Sequence, residues 1–236
     1  MEFGIDSDGK RVSIFDAVAD GKYYCPCCRE QLIQKHGSLI IWHFAHKTLE
    51  NCVSYYDNKG EWHRKMQSLF PEQNREVFNN EIGKHFYDVL TNDGTIIEFQ
   101  NSPIDYESFS DRTNAYYQYS QLHTGNRPIW VFNYVLRYFY VLQKGKYSYR
   151  NRKVKWYRPT KIFGEYRSKE SSYELWFRIA PMKYPLETNQ YGYISYSGVR
   201  RQESAYLKVK GIYNDSYVYG DVYTEKEFID YLNTFN

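Results

Sequence analysis

The chain has 236 residues, room for one domain with a sizeable core plus appendages, and its apolar residues form no run long enough to span a membrane. Its start, MEFGIDSDGK, lacks the basic-then-apolar layout of a secretory signal, so a cytoplasmic protein with no membrane partner is expected. The net charge of +3 conceals an asymmetry: residues 1–134 hold 13 Lys or Arg against 18 Asp or Glu, whereas residues 135–236 hold 18 against 10.

In chain order, Phe3 and Ile5, then Asp8-Gly9, then Val12 and Ile14 read as a β-hairpin. Cys25, Cys27 and Cys28 crowd together in YYCPCCRE and Cys52 stands apart, a poor disulfide layout that suggests a metal. Cys25 and Cys28 have the spacing that lets two thiolates reach one Zn²⁺ from a single turn, and Cys52 with His46 or His43 could complete a tetrahedron. His46 is favoured because Cys52 follows it within a short loop, which leaves Cys27 a bystander. A strand around Leu32 and Ile33, a turn at His36-Gly37, a strand through Leu39, Ile40 and Ile41, and then His43-Phe44-Ala45-His46 complete a layout that resembles a treble-clef or ribbon zinc module.

Trp62, Met66 and Leu69 recur at helical spacing in residues 59–70, with Glu61 at the start and Pro71 as the stop. Strands follow at 76–78, 84–90 and 95–100, then a helix over 105–122 and a buried strand entered through Pro128. The order helix, strand, strand, strand, helix, strand is an α/β (α+β) arrangement of about 75 residues, within the size of a small domain. Residues 137–161 hold nine Lys or Arg and no acid, interleaved with Tyr and Trp, the composition of a phosphate-tracking surface or of a solvated basic sheet face. Arg150, Arg152, Lys153, Lys155 and Arg158 are its candidate DNA contacts. Thr224 and Glu227 form a capping box ahead of a C-terminal helix. The expected division is 1–56 (hairpin and zinc module), 57–136 (core) and 137–236 (basic, aromatic-rich, β-rich extension).

The segment Asn92-Asp93-Gly94 reads as a three-residue hairpin loop with Gly94 in the left-handed position, so Thr91 pairs with Thr95 and Asp88 falls opposite Glu98. Two carboxylates facing each other across a strand pair repel unless a cation or a proton lies between them. The strand period puts Gln100 on the Glu98 face and turns Ile97 and Phe99 away. Hard oxygen ligands on one face suit Mg²⁺ or Mn²⁺, with Glu61 as a third carboxylate and His63 and His85 close in sequence.

Several stretches together resemble the competence protein CoiA-like family: CPCC at 25–28, HFAH at 43–46, Glu61-Trp62-His63, His85 with Asp88, IEFQNSPI at 97–104, Arg112 and Tyr116, and IWVFN at 129–133. The resemblance implies an N-terminal zinc module joined to a restriction-endonuclease-like core of the PD-(D/E)XK type. It also implies a metal-dependent endo- or exodeoxyribonuclease in which Asp88, Glu98 and Glu61 hold Mg²⁺ or Mn²⁺, possible protein partners in DNA processing, and work on incoming or foreign DNA. Gln100 stands where the fold's usual signature has Lys, so charge on an attacked phosphate would fall to Lys65 or Arg112. His63 or His85 would shuttle protons or make a structural hydrogen bond. The alternative is a non-catalytic, zinc-containing DNA-binding protein or adaptor in DNA uptake or recombination.

Overall fold

A computed structural model describes residues 1–38, 41–48, 52, 60–134, 140–142, 151–155, 159–179, 205–213 and 217–236. The N-terminal strands β1 (Phe3–Ile5), β2 (Arg11–Ser13), β3 (Tyr23–Tyr24), β4 (Gln31–Lys35) and β5 (His43–His46) form an antiparallel sheet in the order β2-β1-β3-β4-β5. Phe3, Ile5, Ile14, Tyr23, Leu32 and Phe44 are among the side chains buried in it. Of the strand expected through Leu39, Ile40 and Ile41, Leu39 and Ile40 lie outside the described residues and Ile41 is exposed coil, while the HFAH segment is a strand. Phe44 anchors that strand, because it packs against Tyr23 at 5.1 Å and its amide donates to the Met1 carbonyl.

The core begins with α1 (Glu61–Gln67), which buries Trp62, His63, Met66 and Gln67, and continues through β6 (Arg75–Asn79), β7 (His85–Leu90), β8 (Ile96–Gln100), α2 (Tyr106–His123) and β9 (Ile129–Asn133). This is the element order read from the sequence. Asp105 starts α2 by accepting the Ser108 amide at 2.8 Å, and the helix carries the chain over the sheet so that β9 runs parallel to β8. Gly94 turns the β7–β8 hairpin at φ +76°, a conformation that β-carbon sterics disfavour. The Thr91 amide bonds the Thr95 carbonyl, and Val89 and Leu90 pair with Ile97 and Ile96, which is the register expected.

The sheet does not end at residue 136. Strands β10 (Tyr140–Leu142) and β11 (Asn151–Lys155), the short α3 (Thr160–Phe163), β12 (Tyr166–Arg167), β13 (Glu174–Ile179), β14 (Ala205–Tyr213), β15 (Tyr217–Thr224) and α4 (Glu225–Leu232) complete the described elements. β13 joins β9 in parallel, giving the order β10-β11-β15-β14-β13-β9-β8-β7-β6 with β12 on β14. The three parallel strands β8, β9 and β13 thus sit together and end on the same edge. One face buries Trp62, Met66, Phe99, Trp176 and Phe228 under α1 and α4; the other buries Phe109, Tyr116, Trp130, Phe163 and Phe177 under α2 and α3. The Thr224–Glu227 capping box is present at the start of α4. The two sheets meet where the Glu2 amide donates to Glu76 at 2.7 Å and Arg75 pairs with Glu2 at 3.1 Å. Among the described residues no helix is long and apolar enough to cross a membrane.

Candidate active site and metal centre

The Cys knuckle is a tight turn in which the Arg29 amide bonds the Cys25 carbonyl at 2.9 Å, with Arg29 itself at φ +64°. Cys25 and Cys28 lie on that turn, His46 closes β5, and Cys52 follows; their four ligand atoms all lie within 4.8 Å of one another. Cys25 and Cys52 sulfurs are 3.7 Å apart, and the Cys28 sulfur is 3.3 Å from His46 Nε2. A tetrahedron with Zn–S bonds of about 2.3 Å has edges of about 3.8 Å, so the donors fit zinc in kind and in spacing. Burial pushes the Cys25 thiol up and holds the His46 imidazole down, toward the neutral form that ligates metals. His43 lies an odd number of residues from His46 along β5, so it faces away, and its Nδ1 meets the Ile41 carbonyl at 2.9 Å. The Cys27 thiol is outside the set.

The second constellation grows from a break in β7. The β6–β7 ladder passes from Arg75–Val89 to Val77–Tyr87 and skips Glu76 and Asp88, and Glu76 takes φ +46° there. Across the break the chain changes face: Tyr87 packs under α2 and Val89 under α1, although residues two apart on a regular strand share a side. Extending the hairpin register places Asp88 opposite Glu98, yet their side chains part. Asp88 turns to α1, where its Oδ1 lies 3.0 Å from His63 Nε2 and accepts from Gln67 Nε2 at 3.2 Å, and its Oδ2 accepts the Phe99 amide at 2.9 Å. Glu98 turns to α2, where it pairs with Arg112 and accepts from the Tyr116 hydroxyl at 3.1 Å. The charge compensation that the facing acids call for is therefore supplied here by protein groups.

Glu98 and Gln100 do share a face, with Ile97 and Phe99 on the other. Arg112 spans both: one nitrogen is on Glu98 and Nη1 lies 3.4 Å from Gln100 Oε1, while the guanidinium stacks 5.0 Å from the Trp130 ring. Burial lowers the Arg112 pKa, but Glu98, Tyr116 and Asp88 together outweigh it and hold the guanidinium above its usual range. Tyr116 is pushed well above the usual phenol range by burial. His85 sits edge-on to Tyr116 at 5.8 Å, and burial and then Arg112 lower its pKa.

Two family models match the chain: that of the N-terminal domain of competence protein CoiA over residues 9–55, and that of the nuclease-like domain of competence protein CoiA over residues 71–180. The chain belongs to the CoiA-like family. No curated protein and no solved structure matches it. In this CoiA-like chain the nuclease-like match runs from just ahead of β6 through β13.

The remaining candidates of the CoiA-like chain are distributed as follows. Glu61 is exposed at the first position of α1. Among the described residues the Cys–His set is the one group in which three or more ligand atoms come within 4.8 Å, so Glu61, Asp88 and Glu98 do not converge to that degree. In kind they are the hard oxygen donors that a divalent ion takes, but Asp88 faces α1 whereas Glu98 and Gln100 face α2, where Arg112 occupies Glu98. Lys65 is half-exposed and pairs with Glu225 on α4 at 2.8 Å, which takes it away from Gln100 and leaves Arg112 as the cation there. Arg152, Lys153 and Lys155 lie on β11, paired with β15, whereas Arg150 and Arg158 lie outside the described residues. Gln67 was missed from the sequence; its place one turn after His63 on the buried side of α1 was the available signal.

Proposed function

We propose that this CoiA-like chain is a divalent-metal-dependent DNA nuclease of the PD-(D/E)XK type that processes incoming or foreign DNA. One observation carries the reading: two buried acids, Asp88 and Glu98, flank the end of the β7–β8 ladder, one residue beyond the Val89–Ile97 pair on each strand. The order α1-β6-β7-β8-α2-β9 around them supports it. Asp88 and Glu98, with Glu61 from α1, would hold Mg²⁺ or Mn²⁺, which supplies an acidified water and neutralises charge on the attacked phosphodiester.

The chain's own groups divide the remaining work. His63, Gln67 and the Phe99 amide fix the Asp88 carboxylate. Arg112, released from Glu98, offers a planar cation to a non-bridging phosphate oxygen in the place of the missing Lys. His85, kept neutral by burial and by Arg112, can accept a proton. Zinc at Cys25, Cys28, His46 and Cys52 is structural, and Arg150, Arg152, Lys153, Lys155 and Arg158 track the DNA backbone.

The test is incubation of wild type and Glu98→Ala with linear and circular, single- and double-stranded DNA in Mg²⁺ or Mn²⁺. Cleavage by the wild type and a loss of at least about a hundredfold in the variant are expected, the scale of removing a charge-stabilising group. Cleavage that survives Glu98→Ala overturns the site. The Arg112–Glu98 pair favours a second reading, a non-catalytic zinc-containing DNA-binding protein or adaptor, and a wild type that binds every substrate and cuts none would establish it.

A further inference from the structure

Past the apolar ends of the three parallel strands lies a row of polar side chains. The β8–β9 register pairs Gln100 with Phe132, so Asn101 comes level with Asn133, and Asn133 is itself paired with Arg178 of β13. On the same sheet face, two residues earlier, these strands bury Phe99, Val131 and Trp176. The row is hydrogen-bonded along its length: Arg178 Nη1 donates to Asn133 Oδ1 at 3.3 Å, and Asn133 Nδ2 donates to Asn101 Oδ1 at 2.7 Å. The Arg178 guanidinium lies 5.8 Å from the Trp62 ring of α1, while Asn101 is exposed and Asn133 and Arg178 are partly so.

Two physical points decide what such a row would take. Each amide oxygen in it accepts from the next residue's N–H, so the row as a whole is rich in donors and carries one fixed positive charge. It also lies outside the carboxyl ends of adjacent parallel strands, where open α/β sheets bind their ligands, one residue beyond Gln100. An anion with several oxygens, presented in extended form along a sheet edge, matches both points.

We infer that Arg178, Asn133 and Asn101 form a phosphodiester-binding subsite that seats the backbone of a nucleic-acid strand on the α1 face of the sheet, the face toward which Asp88 turns. The inference rests on the nuclease-like reading for its substrate, and it adds a site on the opposite sheet face from Glu98 and Gln100. Arg178 supplies the charge, Asn133 sets its orientation, and Asn101 extends the donor edge toward the end of β8.

Binding of a labelled oligonucleotide, single-stranded and duplex, measured by anisotropy without added Mg²⁺ or Mn²⁺ from about 50 to about 200 mM salt tests it without recourse to cleavage. Arg178→Gln should weaken binding about tenfold and reduce the slope of log affinity against log salt by about 1. Arg178→Lys, which keeps the charge but loses the planar fork, should retain the slope and lose affinity, and it gives the reading if Arg178→Gln fails to fold. Lys169→Gln, an exposed charge elsewhere, should leave both quantities alone. Wild-type affinity and slope in Arg178→Gln, or equal effects from Lys169→Gln, would each overturn the subsite. A chain that binds through Arg178 but never cuts refutes the nuclease reading alone; one that cuts DNA with binding indifferent to Arg178 refutes the subsite alone.

Discussion

The Cys–His set and the carboxylate pair are both collections of metal-type ligands, yet the chain treats them in opposite ways. Cys25, Cys28, His46 and Cys52 turn toward one another until their donor atoms lie within 4.8 Å. Asp88 and Glu98 each lie one residue beyond the last pair of the β7–β8 ladder and turn apart, one to His63 and Gln67, the other to Arg112 and Tyr116. Convergent thiolate and imidazole donors favour an ion outright. A closed acid network admits an ion only by exchange, against the cost of moving a guanidinium off a buried carboxylate.

That difference sets the sizes of the expected effects. The largest is at the zinc set, since structural zinc binds with an apparent free energy of about 10–16 kcal/mol, comparable to the whole stability of a domain. Cys28→Ser should reduce bound zinc from about one per chain to near zero and open the N-terminal sheet to protease, whereas His43→Ala and Cys27→Ser should keep both zinc and protection. Equal zinc loss from His43→Ala would refute the assignment of His46.

A middle-sized effect is expected at the acids. Arg112→Met leaves Glu98 buried without its cation and should cost about 3–5 kcal/mol in urea unfolding. If a divalent ion competes with the guanidinium for Glu98, millimolar Mg²⁺ or Mn²⁺ should stabilise Arg112→Met more than it stabilises the wild type. Equal stabilisation of the two would count against an ion at Glu98 and for a permanently closed network.

How far each region was legible from sequence follows from how local its determinants are. The hairpin register needed only Asn92-Asp93-Gly94, because a three-residue loop with a left-handed glycine allows one pairing, and Thr91–Thr95 obeys it. The α4 capping box was equally local. The choice between His43 and His46 is open until HFAH is read as a strand; once it is one, residues three apart fall on opposite faces. The parting of Asp88 and Glu98 was out of reach. It depends on the break at Glu76, whose carboxylate is taken by the Glu2 amide 74 residues earlier, and on α2 laying Arg112 across the outer face of β8. The parallel pairing of β13 with β9 likewise joins segments whose distance in sequence carries no local signal.

The smallest predicted effect links these two scales at His85. Its pKa is held below the ordinary 6.5, first by burial and then by Arg112, so the folded chain favours the neutral ring. Above 6.5 the ring is neutral in both states and contributes no pH dependence; below it the unfolded chain takes up the proton first, so stability is lost as pH falls toward the folded value. Urea midpoints at about pH 7.5 and about pH 5.5 should therefore differ more in wild type than in His85→Phe. Arg112→Met removes the neighbouring positive charge, so it should move the His85 pKa up toward 6.5 and shrink its share of the acid-side loss. An unchanged share would mean that burial alone sets His85, and that the Arg112 guanidinium acts on Glu98 and Gln100 without reaching the rest of the α2 face.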